Sequence, residues 1–428
     1  MKNNKLNDNP VKENSQSSRD KSKEHNQVLI YDAIMGSGKT INAIKRMQLY
    51  IDNGQRFIFV TPFLKEIKRV QDAIGIYNIE TPEPKNEFHK IYIDGSPQKK
   101  FKYLNKSEVF LRLVEQGVNI ATTHSLFTSL GVVDSNMFKD YILIIDEAID
   151  PISTFKFGAR DTEILLNEKL IAMDIGTNKI SVTDKQYKDD SFKEVLNFCS
   201  GENVYLYNNV FISLLSIEII NSFKQVQILT YLFDSSLMAY YFKFHEINCK
   251  FINKINAKLI KVKIKKNLNI YEGAKNQKPG TSRTSFSKNF LTNLNINRVK
   301  KIKESIVYLF RYEFQTNSQH SSFTTFKDCK EKYSGRGYTK GFIAINARAT
   351  NEFVHKKSMA YVGNRYLNPA IFNFFKDKEI FIDQDYWALS ELLQWIWRGC
   401  IRNNEPMNLY IPSTRMRTLL ISWLNDEY

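Results

Sequence analysis

The sequence predicts an α/β protein with two domains, each built on a parallel sheet, and two observations lead to that fold class. Short apolar runs recur along the chain, and several are continuous rather than alternating, as in strands buried on both faces. Segments with helical spacing of apolar residues lie between them, for example residues 65–74 and 108–115. The strand-like runs are residues 28–31, 57–60, 118–121, 141–145, 226–229, 305–310, 341–345, 379–382 and 408–411. Alternation of strands and helices favours parallel sheets.

Changes in composition divide the chain into four parts. Residues 1–27 are polar and charged with almost no large apolar side chain, which predicts a disordered tail. Residues 28–248 are expected to form the first domain, with a helical insertion at about residues 150–225 where the pattern is less regular. Residues 249–305 are rich in Lys and Asn and predict a basic connector, followed by a second α/β domain over residues 306–428.

The composition is that of an ordinary globular chain. No apolar stretch among the 428 residues is long enough to span a membrane, and the N-terminus lacks the apolar segment of a secretory signal. A cytoplasmic location is therefore expected. The four cysteines include no C-x-x-C pair and the six histidines show no metal-ligand spacing, so neither a disulfide framework nor a zinc site is predicted.

The positive charge of the chain is concentrated in one stretch. The formal net charge is +16, and residues 249–304 hold fifteen Lys and Arg against two Glu, a local charge of +13. Such a stretch attracts polyanions, and beside a nucleotide site it favours nucleic acid as a partner. The alternative is a solvated surface that serves only solubility.

A glycine-rich turn follows the first apolar run and has the form of a phosphate-binding loop, or Walker A motif. The general pattern is G-x-x-x-x-G-K-[ST], and here Ala33 occupies its first position. Backbone N–H groups of such a turn converge on phosphate oxygens at a helix N-terminus. Lys39 is expected to reach the β- and γ-phosphates of ATP, and the Thr40 hydroxyl to hold Mg²⁺. The residues expected to bind the cofactor are Gly36, Ser37, Gly38, Lys39 and Thr40. The alternative is a strand-to-helix turn that binds nothing.

A second motif is the acidic pair Asp146 and Glu147, which directly follows the apolar run at residues 141–145. A nucleotide hydrolase needs one carboxylate on Mg²⁺ and one that orients or deprotonates the attacking water. Asp146 suits the first role, as a metal ligand beside Thr40, and Glu147 suits the second. Taken alone, the pair could equally be an acidic helix cap after a strand.

The two motifs together resemble motifs I and II of superfamily 2 helicases of the DEAD/DEAH type. The segments between these two motifs resemble further helicase motifs in the same order. Residues 57–62 resemble motif Ia, and residues 121–126 resemble the next strand-end motif. Hydroxyl side chains at strand ends are suited to contact a nucleic-acid backbone. Residues 228–231 stand in the place of motif III and match it poorly.

Residues 394–402 resemble motif VI, in which a Gln and two Arg reach the γ-phosphate across the domain interface. Gln394, Arg398 and Arg402 would share one face of a helix. The gap between the arginines is one residue longer than usual, and Trp397 stands in place of a common glycine. Which of the two is the arginine finger that stabilises the transferred phosphoryl group therefore stays open. Both arginines could instead be partners of surface carboxylates.

The resemblance spans roughly residues 28–428, and its C-terminal part is similar to helicase-like proteins of bacteriophages and related mobile elements. It implies two RecA-like domains, ATP and Mg²⁺ as cofactors, and nucleic acid as the partner, DNA rather than RNA, with replication proteins nearby. The implied function is an ATP-dependent helicase or translocase in phage replication or recombination. Two alternatives remain, an ATP-gated DNA-binding protein that does not unwind and a phage packaging ATPase. Residues 348–351 are expected to touch phosphates or simply to form a polar loop.

Overall fold

The computed structural model describes residues 27–427 apart from 94–95, 131–133, 184–190, 202, 253–256, 278–279 and 347–351. Residues 1–26 of the expected N-terminal tail and the segment 348–351 therefore lie outside the described residues, whereas Gln27 begins the first strand. The described part contains two parallel sheets, one antiparallel sheet and a separate hairpin. The predicted fold class, α/β with two parallel-sheet domains, is confirmed.

The first lobe begins with strands that alternate with helices. Its first strands are β1 (Gln27–Asp32), β2 (Arg56–Thr61), the hairpin strands β3 (Lys85–Ile93) and β4 (Ser96–Leu104), β5 (Ile120–Thr123) and β6 (Tyr141–Asp146). Its first helices are α1 (Lys39–Asp52), α2 (Leu64–Ile74), α3 (Lys106–Glu115) and α4 (His124–Thr128). The predicted helices at 65–74 and 108–115 are therefore present. Every residue of β6 is buried, which explains its continuous apolar run.

The next segment of the chain is an insertion between β6 and the rest of the first lobe. It forms an antiparallel sheet rather than the predicted helical insertion. Its strands are β7 (Ile152–Lys156), β8 (Ile171–Met173), β9 (Lys179–Val182), β10 (Val204–Tyr207) and β11 (Val210–Leu214). They pair antiparallel in the order β7-β11-β10-β9-β8, with α5 (Ala159–Asn167) and α6 (Lys193–Cys199) packed alongside. The prediction was wrong because these strands, at three to five residues, are too short to give a recognisable pattern. The missed signal is Asn208-Asn209, a two-residue turn with φ values of 49° and 58° that joins β10 to β11.

The chain returns to complete the first sheet through α7 (Ile217–Asn221), β12 (Gln225–Thr230), α8 (Leu237–Phe244) and β13 (Cys249–Phe251). The resulting order is β13-β1-β12-β6-β2-β5, with all neighbours parallel. The register pairs Asp32 with Thr230 and Leu229 with Asp146. The carboxyl ends of β1, β12 and β6 therefore meet at one edge of the sheet.

The second lobe is a smaller parallel sheet surrounded by helices. Its elements are α9 (Ala257–Asn267), β14 (Leu268–Ile270), α10 (Ala274–Gln277), α11 (Lys288–Asn293), α12 (Ile296–Tyr308), β15 (Ser321–Thr324), α13 (Lys330–Tyr333), β16 (Ser358–Tyr361), α14 (Pro369–Asp377), α15 (Gln384–Ile396), β17 (Met407–Tyr410) and α16 (Thr414–Leu424). The strand order is β14-β17-β16-β15. In the part of the chain that the structure describes, no helix is both long and apolar enough to cross a bilayer.

The expected basic connector is largely folded. Residues 249–251 extend the first sheet and residues 268–270 the second, and α9 precedes the latter. The run 305–310, predicted as a strand, lies in α12 and in the π-helical turn Leu309–Glu313 that follows it. Short apolar runs of this kind do not distinguish strands from buried helices. The runs at 341–345 and 379–382 form no strand either.

Candidate active site

The loop after β1 has the backbone geometry of a phosphate-binding turn. Gly36 and Gly38 adopt φ values of 79° and 85°, the left-handed region that glycine enters without steric cost. Gly38 is the N-cap of α1, so the first free N–H groups of the helix point into this turn. Between the glycines, Ser37 has a buried hydroxyl with no hydrogen-bond partner among the described residues.

Lys39 folds back over the loop. Its Nζ donates to the carbonyl of Ala33 and, at 3.2 Å, to that of Ile34. Burial lowers the pKa of Lys39 to about 8, and the negative charges of Asp146, Glu147 and Asp32 act in the opposite direction. The ammonium group is thus held at the mouth of the loop and close to carboxylates.

Thr40 and Asp146 meet across the sheet edge. The Thr40 hydroxyl lies 3.2 Å from each carboxylate oxygen of Asp146, which ends β6. Burial, with the neighbouring charge of Glu147, raises the pKa of Asp146 to about 7, while the hydrogen bond from Thr40 lowers it. A hydroxyl and a carboxylate are hard oxygen donors, the ligand type that Mg²⁺ takes in nucleotide sites. The pair fits the predicted metal site.

Glu147 stands in a strained backbone position. Its φ is 64°, unusual for a residue with a side chain, and its N–H donates to the Leu229 carbonyl at 2.8 Å. One carboxylate oxygen, Oε2, is buried without a hydrogen-bond partner among the described residues. His124 supports the turn from below, with Nε2 2.9 Å from the Asp146 carbonyl.

A cavity of about 330 Å³ joins these residues to the second lobe. Of the predicted site residues, those that line it are Gly36, Gly38, Lys39, Thr40, Asp146, Glu147, Gln394, Arg398 and Arg402. The two distant parts of the sequence therefore meet in one cleft.

The residues of the second lobe reach this cleft in a different way from that predicted. Helix α15 ends at Ile396, so Gln394, Arg398 and Arg402 do not share one helix face. Gly399 follows, where an added Cβ would lie 2.4 Å from the sulfur of Met359, and a 3₁₀ turn then carries Arg402. Tight packing at Gly399 turns the chain out of the helix. Arg398 is buried and Arg402 exposed.

Trp397 lies directly against the phosphate-binding loop. A Cβ added to Gly36 would lie 2.8 Å from Cζ2 of the Trp397 indole, and Trp397 itself is 7% exposed. This contact joins the second lobe to the turn that is expected to hold the phosphates. The large side chain at a position where a glycine is common in motif VI therefore has a packing role.

Thr230 and Tyr231 line the same cavity, although their sequence matched motif III poorly. The Tyr231 hydroxyl accepts a hydrogen bond of 2.9 Å from Nε1 of Trp423 in α16, which links β12 to the second lobe. Their position immediately after the buried run 226–229, beside β1 and β6, could have indicated this role, because ligands bind at the carboxyl ends of parallel strands. Glu66 and Arg69 of α2, joined by an ion pair of 2.7 Å, also line the cavity and were not predicted.

The strand-end hydroxyls expected to contact nucleic acid are not all accessible. The side chain of Thr61 is fully buried at the end of β2, and its hydroxyl has no hydrogen-bond partner among the described residues. Thr123 instead caps α4, accepting from the N–H of Leu126 at 3.3 Å. In this conformation the Thr61 hydroxyl is enclosed and the Thr123 hydroxyl is engaged in a helix cap.

The fold and the cleft define a two-lobed parallel α/β protein with a phosphate-binding loop in its first lobe. The family model described as the YonV C-terminal Rossmann-like domain matches residues 262–424 of this chain. The SPbeta prophage-derived uncharacterized protein YonV of Bacillus subtilis (strain 168) is 33% identical over 427 residues, covering 94% of this chain and 99% of that protein. The chain therefore belongs to the YonV family.

Solved structures similar to this chain include helicases. For the structure of Xpd4 from S. tokodaii, the TM-score is 0.47 and the identity 13%, over 93% of this chain and 94% of that chain. For a structure described as an XPD helicase, the TM-score is 0.47 and the identity 12%, over 94% of each chain. For S. cerevisiae Dbp5 bound to RNA and ADP with BeF3, the TM-score is 0.40 and the identity 10%, over 94% of this chain and 83% of that chain.

Proposed function

We propose that this protein is an ATP hydrolase that acts on nucleic acid as a helicase or translocase. The observation that carries the proposal is the shared cleft, where Lys39, Thr40, Asp146 and Glu147 of the first lobe face Gln394, Arg398 and Arg402 of the second. An arrangement of this kind makes hydrolysis depend on how the lobes sit together, which is the property that a translocating motor requires.

Each side chain has a role that follows from its charge and position. Lys39 binds the β- and γ-phosphates, and Thr40 and Asp146 hold Mg²⁺, which when bound neutralises charge on the phosphates. Glu147 orients the attacking water and accepts its proton, for which its buried and unpaired Oε2 is suited. Arg398 or Arg402 stabilises the charge that develops on the transferred phosphoryl group.

DNA is the proposed polymer, and phage or mobile-element replication or recombination in the host cytoplasm is the proposed setting. The support for the setting is the prophage origin of the related protein from Bacillus subtilis. The support for a polyanionic partner is the net charge of +16 and the lysine-rich stretch at residues 249–304.

A DNA-binding protein gated by ATP, without strand separation, is the second candidate. It is favoured by the packing of α14, in the second lobe, against the insertion of the first lobe, where the ring centroids of Phe374 and Tyr205 are 5.0 Å apart. A contact of this kind would restrict motion between the lobes. A packaging ATPase with an attached nuclease would need a cluster of metal-binding carboxylates, and among the described residues no group of three or more His, Cys, Asp or Glu forms one.

The proposal is tested by measuring ATP hydrolysis with no polymer, single-stranded DNA, duplex DNA and RNA, each at two salt concentrations. We expect stimulation by DNA that falls as salt rises, because phosphate contacts release counterions. Lys39→Ala should abolish hydrolysis, whereas Lys45→Ala, an exposed lysine of the same helix, should not. Hydrolysis that persists in Lys39→Ala contradicts the proposed site. Stimulation without strand displacement would select the gated DNA-binding protein.

A further inference from the structure

The second lobe carries exposed aromatic rings and cations on a surface that shares no residue with the active-site cavity. Tyr308 ends α12 and Tyr312 lies one turn later, and they are 42% and 60% exposed with ring centroids 5.5 Å apart. The Lys275 ammonium lies 4.6 Å from the centroid of the Tyr308 ring. Large exposed rings cost solvation free energy, so a pair of them beside a cation points to a ligand with flat, unpaired faces.

The backbone beneath these rings is unusual. Residues Leu309–Glu313 form a π-helical turn, which is rare and occurs frequently at functional sites. The wider turn carries Arg311 and Tyr312 at the end of α12.

A cavity of about 470 Å³ is lined by Val307 and Arg311, the residues that precede the two tyrosines in the chain, and by Arg336, with the polar side chains of Gln315 and Ser318. Both arginines are exposed, and within the described part of the chain neither forms an ion pair. The wall opposite α12 is a loop in which Gly337 has a φ of 90° and open space where a Cβ would stand. The loop is anchored by Tyr338, whose buried hydroxyl donates to the Tyr333 carbonyl at 2.8 Å. The cavity is therefore a fixed and positively charged recess.

We propose that this surface, formed by Lys275, Tyr308, Arg311, Tyr312 and Arg336, binds single-stranded nucleic acid. Bases stack on the two tyrosine rings, and the guanidinium groups of the recess bind the adjoining phosphates. Stacking needs unpaired bases, so a single strand is preferred over a duplex. This inference rests on the proposed action on nucleic acid and assigns to that action a track outside the ATP cleft.

The test is fluorescence anisotropy of a labelled 20-nucleotide oligo-dT with the full chain, without ATP, over a range of salt. Tyr312→Ala should weaken binding by about fivefold or more, and Tyr312→Phe should keep it, because a ring suffices for stacking. Replacing Arg311 and Arg336 together by Ala should reduce the slope of log affinity against log salt by about 0.7 for each arginine. Arg160→Ala, an exposed arginine of α5, is the matched control and should behave as wild type.

The outcomes separate the two proposals. Wild-type protein that binds the strand, with the tyrosine and arginine variants indistinguishable from Arg160→Ala, overturns this surface and leaves the ATPase proposal intact. Equal affinity for duplex and single strand, unaffected by Tyr312→Ala, also overturns it. Wild-type protein that binds no strand at any salt concentration overturns both this surface and the proposed action on nucleic acid. Unchanged circular dichroism of each variant shows that the fold is retained.

Discussion

Gly36 and Gly38 share a left-handed backbone but differ in their surroundings. Alanine at either position is strained by φ values of 79° and 85°. At Gly38 an added Cβ meets nothing within 4 Å, whereas at Gly36 it would lie 2.8 Å from the Trp397 indole. The Gly38→Ala variant can therefore serve as the control for Gly36→Ala, because only the latter would disturb the contact between the loop and the second lobe.

We expect Gly36→Ala to destabilise the protein more than Gly38→Ala, by about 1–3 kcal/mol, because the added methyl overpacks against Trp397. In a Trp397→Phe background the difference should disappear, since phenylalanine lacks the ring atom in contact. Thermal unfolding of the single and double variants measures this coupling. Equal losses for the two alanine variants in the wild-type background would contradict the described packing.

Glu147→Gln is expected to leave ATP binding largely intact and to slow hydrolysis by about 10²- to 10⁴-fold, the usual contribution of a general base. The amide has the shape of the carboxylate but cannot accept the proton from water. Single-turnover hydrolysis and the affinity for a fluorescent ATP analogue measure the two effects, with Glu163→Gln, an exposed residue of α5, as the control. Lost binding with a normal rate per bound ATP would show that the role is assigned wrongly.

At the scale of elements, buried parallel strands were the most predictable part of the molecule. β6 is buried along its whole length, so its apolar run and the acidic residues after it could be recognised without the structure. The insertion sheet could not be recognised in the same way, because its strands are only three to five residues long. The end of α15 depends on Gly399 packing against Met359 and Met407, a contact between distant parts of the chain.

The insertion and the second lobe are joined by an aromatic cluster. Phe374 of α14 is fully buried, and its ring lies 5.0 Å from that of Tyr205, 5.8 Å from that of Tyr207 and 5.5 Å from that of Phe244. An antiparallel sheet inserted in one lobe thus supports a helix of the other. Motion between the lobes has to preserve or break this cluster.

Phe374→Ala should lower the free energy of unfolding by about 3–5 kcal/mol, through lost burial and the cavity left behind. Phe381→Ala is the control, since that ring is 76% exposed and its loss should have little effect. Guanidinium denaturation followed by fluorescence measures both variants. Similar midpoints for the two variants would contradict the aromatic cluster as a joint between the lobes.

At the scale of the whole molecule, the candidate active site exists only because two lobes meet. The motif residues could be found from sequence because each follows a recognisable strand or helix. Their convergence on one cavity was expected from the resemblance of the motifs, but the contacts that hold the lobes together there could not be predicted, namely the packing of Trp397 on Gly36 and the hydrogen bond between Tyr231 and Trp423. Gly36, Trp397 and Tyr231 lie within the motif segments, but the contacts that they make with each other and with Trp423 are not part of the motif patterns.

The most direct test of the shared cleft is the rate of ATP hydrolysis in Arg398→Lys, Arg402→Ala and the double variant. Arg402 is exposed, so its removal should not disturb folding, and lysine keeps the charge at the buried position 398. We expect at least one variant to bind ATP with little loss of affinity and to hydrolyse it about a thousandfold more slowly, the usual effect of losing an arginine finger. A double variant that hydrolyses ATP at the wild-type rate would contradict a site built by both lobes.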